Sequence, residues 1–129
     1  MNGLDLLFGS LKTWMDTIGR PVGLINLPPG SDPGFLPALA IDLVGRVGAE
    51  TEAMSGPVAR WVTVSFVSVG RSSVDALWLD AKVMALLTGP LPTGLSVDIC
   101  YLHPDPGVAL SSVDGGRMLA THRAALAYR

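Results

Sequence analysis

Residues 60–87 read RWVTVSFVSVGRSSVDALWLDAKVMALL, and within them a period of two gives way to a period near 3.6. From Arg60 to Val69, Val62, Val64 and Phe66 alternate with Thr63 and Ser65, the pattern of a strand with one buried and one more polar face. Gly70 ends that strand. Ser72 and Asp75 then give a start resembling a capping box, and a second helix is expected from Ser73 to Leu87, stopped by Gly89 and Pro90. Along it Val74, Leu77, Trp78, Ala81, Met84 and Ala85 form one apolar face. Leu79, Val83 and Leu86 fall outside that face, toward the side carrying Asp75 and Lys82. A chain this short has little with which to cover a helix all round, so the surplus reads as a subunit contact. Leu79, Val83 and Leu86 are the expected patch, with Trp61 as a further anchor.

Before this segment, Leu4, Leu7, Phe8, Leu11, Met15 and Ile18 recur at helical spacing, with Asn2 placed to cap and Gly19 to terminate a first helix. A short strand is expected from Val22 to Leu27, then a loop rich in Pro and Gly, then a strand from Leu36 to Val44 whose start Pro37 confines to an edge or an unpaired position. Gly45 to Pro57 shows no sustained period and reads as a long exposed connection. After the second helix, Leu95 to Leu102 alternates again, and Pro104, Pro106 and Gly107 open a second long loop ending at Gly116. The alanines of the last segment suit a helix equally, but its two-residue period favours a strand, with Met118, Ala120, His122, Ala124, Leu126 and Tyr128 on one face and Arg117, Thr121, Arg123 and Arg129 on the other. The expectation is an α+β domain spanning residues 1–129, with two helices packed on a mostly antiparallel sheet in the order α-β-β-β-α-β-β.

Composition narrows the function. The 129 residues carry 9 basic and 11 acidic side chains, a net charge of -2, which argues against a general grip on nucleic acid. Apolar residues make up 49% and charged residues 16%, against about 25% charged in an average soluble domain, so the chain has apolar surface to place. The longest stretch without a charge, Val83 to Val97, falls short of the ~18 residues a membrane helix needs and contains two prolines. The first residues, MNGLDLLFGSLKTW, have Asp5 where a signal peptide would be basic, so no membrane or secretory role is expected. Cys100 is alone, which forbids an internal disulfide. The remaining way to cover apolar surface is another protein chain.

Chemical motifs are sparse. His103 and His122 lie far apart in sequence, and neither has a second ligand at helical metal spacing. His103 stands near Asp105 in a proline-containing segment, while His122 falls on the predicted core face, where a hydrogen bond within the fold accounts for it better than a role as general base. The segments around Gly45 to Gly48 and Val69 to Ser73 match no phosphate-binding loop. No catalytic residue, cofactor or metal is assigned.

The helix at the N-terminus, GRPVGLINLPPGSDPGFLPALAIDLVG (19–45), RWVTVSFVSVGRSSVDALWLDAKVMALLTG (60–89) and the closing DGGRMLATHRAALAYR (114–129) together resemble, in layout, the tail terminator proteins of long-tailed (siphovirus-type) bacteriophages. The likeness covers nearly the whole chain and rests on the order of elements. It implies a structural protein of the virion, assembled in the host cytoplasm, that forms a ring, typically hexameric, at the head-proximal end of the tail tube. Such a ring stops tube growth and joins tail to neck. Its partners are further copies of itself, the tail tube protein and a neck or head-completion protein, and DNA passes through it without specific binding. On this reading Arg46, Glu50 and Glu52 in one loop, and Asp105, Val108 and Asp114 in the other, face the tube or neck. Arg117, Arg123 and Arg129 either line the lumen or form the solvated face of an edge strand. The alternatives are a neighbouring head-completion or stopper protein of the connector, a small cytosolic α+β enzyme using His122 or His103, and a small ligand-binding or regulatory domain.

Overall fold

A computed structural model describes residues 3–24, 36–50, 59–92, 94, 99–113 and 117–128. Its elements are α1 (Gly3–Asp16), β1 (Val22–Leu24), β2 (Ala38–Glu50), β3 (Ala59–Gly70), α2 (Ser73–Thr88), β4 (Ile99–Pro104), β5 (Ala109–Val113) and β6 (Arg117–Tyr128). The architecture is α+β, with two helices against a mostly antiparallel sheet in the expected order and one further strand, β5. Strands run β1-β2-β3-β6-β4, and β5 also pairs with β6. Among the described strands only β1 and β2 pair in parallel; their register sets Val22 beside Leu39 and Leu24 beside Ile41. Both helices serve one sheet face. Leu7, Leu11 and Met15 of α1 and Leu79 and Val83 of α2 share a buried cluster with Ile41, Val64, Phe66, Ala124 and Leu126.

The α1 stripe lands as its spacing predicts, with Leu11 and Met15 fully buried and Leu7, Phe8 and Trp14 nearly so. Gly19 follows at a φ of 89°, the left-handed conformation that favours glycine after a helix. In β6, Ala120, His122, Ala124, Leu126 and Tyr128 are all buried on the helix side, again as alternation predicts.

The faces of α2 are the reverse of the expectation. Ala76, Leu79, Asp80, Val83 and Leu87 are buried, and Leu86 is partly buried against the core. Val74, Leu77, Trp78, Ala81 and Ala85 point outward. Leu79 and Val83 are therefore core residues of their own chain and are not free to form a subunit patch. The physical reason lies in Asp80. An aspartate on a helix stripe reads as solvent-facing, but here β6 supplies a buried partner for it, and the stripe carrying Asp80 becomes the inner one.

Small residues let α2 come down close to β3. A Cβ on Gly70 would lie 2.5 Å from the Asp75 Cβ and 2.6 Å from the Ala76 amide nitrogen, so the turn from strand to helix has no room for a methyl group. Gly70→Ala is expected to cost about 1–3 kcal/mol in denaturant unfolding, as overpacking does elsewhere; a variant as stable as the parent would show that the turn yields. The helix start is fixed by the Ser72 hydroxyl, which accepts from the Asp75 amide at 3.2 Å. The Arg71 guanidinium, 3.0 Å away, holds the Asp75 carboxyl below the usual carboxylate range. That contribution is present at neutral pH and is lost as pH falls through the lowered native value.

Two expected loops are partly strand. The Gly45–Pro57 connection is replaced as far as Glu50 by the continuation of β2, paired with β3 up to Glu50 opposite Ala59. Register shifts between Leu43 and Gly45 and between Arg46 and Gly48 break the two-residue period, which is why the segment does not read as strand. Arg46 and Glu50 thus belong to a strand, while Glu52 lies outside the described residues. The Asp105–Gly116 loop contains β5, whose five residues ALSSV are too few for a period to register; pairing with β6 makes the strand. Asp105 and Val108 stay in the short crossover between β4 and β5, and Asp114 lies outside the described residues. β6, finally, is no edge strand. It has β3 on one side and β4 and β5 in succession on the other.

Candidate functional site

Among the described residues, the exposed large apolar side chains lie on α2 and along the edge made by β4 and β5, where Tyr101 and Leu110 take opposite faces of the sheet by register. On the outer side of α2, Val74 is 78% exposed, Leu77 37% and Trp78 46%, with Lys82 Nζ 5.6 Å from the Trp78 ring centroid. Along the edge made by β4 and β5, Tyr101, Val108 and Leu110 are exposed to a similar degree. The sheet face turned away from the helices carries an aromatic row, with Trp61 5.2 Å from Tyr101 and Tyr101 6.1 Å from His103. Register places these rings on one surface, since Trp61 and Tyr101 both pair with Ala127, and His103 pairs with Ala125. Arg123 projects from that same face and is exposed; Arg117 shares its parity and is half-buried; Arg129 lies outside the described residues.

Beneath α2 lies a polar contact that spans three elements. His122 is 3% exposed and Asp80 6%. Nδ1 of His122 faces Oδ1 of Asp80 at 3.3 Å, a close contact without full hydrogen-bond alignment. Nε2 is hydrogen-bonded with the Asp105 carbonyl oxygen, and the Asp105 amide donates to the Arg123 carbonyl at 2.8 Å. Burial pushes the Asp80 carboxyl up from its ordinary value, and the neighbouring His122 pulls it partly back. The order of groups is reminiscent of a hydrolase triad, but the position a nucleophile would occupy at Nε2 is filled by main chain.

His103 is an exposed ring stacked near Tyr101 and is not joined to His122. An open groove of about 550 Å³ runs between the C-terminal end of α2 and β4, lined by Met84, Leu87, Leu91, Tyr101 and Leu102 among others. Among the described residues no group of three or more His, Cys, Asp or Glu side chains is placed to hold a metal ion. No helix among them is long and apolar enough to cross a membrane.

Of the residues singled out by sequence for the subunit patch, Trp61 and Leu86 stay partly accessible, Trp61 beside Tyr101 and Leu86 packed against the core. Leu79, Val83 and Leu86 belong to or pack on the core. The Val74–Leu77–Trp78 surface is legible in the sequence as an apolar face, and the structure turns it to solvent. The Asp80–His122 pairing carries no sequence signal, because nothing in 42 residues of separation marks this helix and this strand as neighbours. No family model matches this chain, and no curated protein matches it significantly.

Proposed function

We propose that this chain is a ring-forming structural subunit of the tail terminator kind, placed at the head-proximal end of a bacteriophage tail. The observation that carries the reading is that exposed apolar side chains occupy two unlike surfaces of a small charge-poor domain, Val74, Leu77 and Trp78 on α2 and Tyr101 beside Trp61 on the sheet face turned away from the helices. A closed ring needs such a pair, because head-to-tail contact joins different patches on successive copies. In this arrangement the tail tube protein and a neck or head-completion protein bind the two rims of the ring, and Arg117 and Arg123 on the open sheet face are the candidates for the lumen. A head-completion or stopper protein of the connector is the nearest alternative, since it would use the same kind of contact.

The test is assembly. Purified protein mixed with tail tubes should cap them as rings in electron micrographs and co-sediment with them. Trp78→Asp should keep its circular dichroism spectrum yet lose ring formation and tube binding by about thirtyfold or more, the effect of removing ~2 kcal/mol from an interface anchor. A parent protein that stays monomeric in light scattering and ignores tail tubes at every concentration overturns the reading.

A further inference from the structure

We propose that Asp80 and His122 form a proton-held latch that ties α2 to the crossover between β4 and β5. The Asp105 carbonyl facing Nε2 can only accept, so Nε2 carries hydrogen and the tautomer is fixed. Nδ1 and Asp80 Oδ1 face each other at 3.3 Å, and neither has another hydrogen-bond partner. The gap is bridged when one proton lies between them, either as carboxylic acid against neutral imidazole or as carboxylate against imidazolium. With that proton withdrawn, a carboxylate oxygen confronts a ring lone pair inside the core, and the burial that raises the Asp80 carboxyl opposes that state.

No other charge is placed to compensate among the described residues. On α2, Asp75 is taken by Arg71, and Lys82 is exposed over Trp78. On α1, Lys12 and Asp16 pair with each other at the surface. β3 offers Phe66, opposite His122 in register, and the buried, unpaired Ser68 hydroxyl. On β6 Arg123 lies on the far face of the sheet, as does His103 on β4; the Asp105 side chain is exposed, and β5 carries no titratable group.

Asp105 is therefore held at two points, its amide on the Arg123 carbonyl and its carbonyl on the Nε2 hydrogen of His122; that hydrogen stays, but the repulsion between a bare Nδ1 and the Asp80 carboxylate displaces the ring that carries it, so the second hold weakens when the shared proton leaves. The direction follows from the raised Asp80 carboxyl: the latched state is complete at low pH and is lost as pH rises through the native value. Loss frees the crossover that carries Val108. The latch belongs to the isolated subunit and stands or falls apart from the assembly reading.

Amide hydrogen exchange of the subunit, corrected for intrinsic chemistry, measures it. Protection at Asp105 should fall about tenfold or more as pH is raised from the acid to the alkaline end of the range in which the parent stays folded. Asp80→Asn, whose amide donates to Nδ1 at every pH, should hold protection constant over that range. Equal declines in the two proteins, or constant protection in the parent, overturn the proposal. Should Asp80→Asn fail to fold, nitrogen-15 shifts of His122 in the parent decide instead: hydrogen on Nε2 throughout, with Nδ1 changing over the pH range of the exchange effect, supports the latch, and an Nε2 free of hydrogen overturns it.

Discussion

Aspartate in place of Leu79 is expected to leave no folded protein, while aspartate at the adjacent Trp78 leaves the fold intact. Leu79 has no exposed surface and sits in the cluster that joins both helices to the sheet. Truncating such a leucine to alanine alone costs about 2–5 kcal/mol. An unpaired carboxylate in the same place adds several kcal/mol more, against a total stability of roughly 5–15 kcal/mol for a domain. Trp78, one residue earlier on the helix, is 46% exposed and has the Lys82 ammonium 5.6 Å from its ring centroid. Far-ultraviolet circular dichroism and limited proteolysis of the two variants decide the matter. A folded, protease-resistant Leu79→Asp protein would mean that α2 presents its other face to the sheet.

That reversal marks where sequence reading succeeds in this chain and where it stops. Periodicity places α1, β3 and β6 and orients the last of them correctly, because each sets an apolar stripe against polar residues at the same period, Lys12 and Asp16 in α1, Thr63 and Ser65 in β3, Thr121 and Arg123 in β6. It also puts His122 inside. α2 has apolar residues nearly all round, and the polar residue that would normally break the tie, Asp80, points inward to a partner supplied 42 residues later. Tertiary pairing thus overrode the local rule. The same holds for β5 and the far half of β2, where a neighbouring strand supplies the order that a short or glycine-bulged segment cannot announce. The surplus of apolar surface was readable from composition; its position on the Val74–Leu77–Trp78 side was not, because it depends on which stripe the sheet takes.

Removing the imidazole should expose how far the core depends on that inward aspartate. His122→Leu fills the space with apolar atoms but leaves the Asp80 carboxyl and the Asp105 carbonyl without their buried partner. Losing one member of a buried pair costs about 3–5 kcal/mol, and here most of that cost should depend on pH. Burial already raises the Asp80 carboxyl, and the variant lacks the histidine that pulls it back. Folded protein then retains a proton that the unfolded chain releases near pH ~3.9, so stability is greatest in acid and falls as pH rises, by up to about 1.4 kcal/mol per pH unit. Adding Asp80→Leu removes the charge that has to be kept neutral. The double variant should unfold at a higher denaturant concentration than His122→Leu at neutral pH, with a coupling of about 1–3 kcal/mol and a flatter pH profile. Equal stability of the single and double variants, with parallel pH curves, would show that Asp80 reaches water once the ring is gone, and that the stripe facing β6 is held by apolar packing alone.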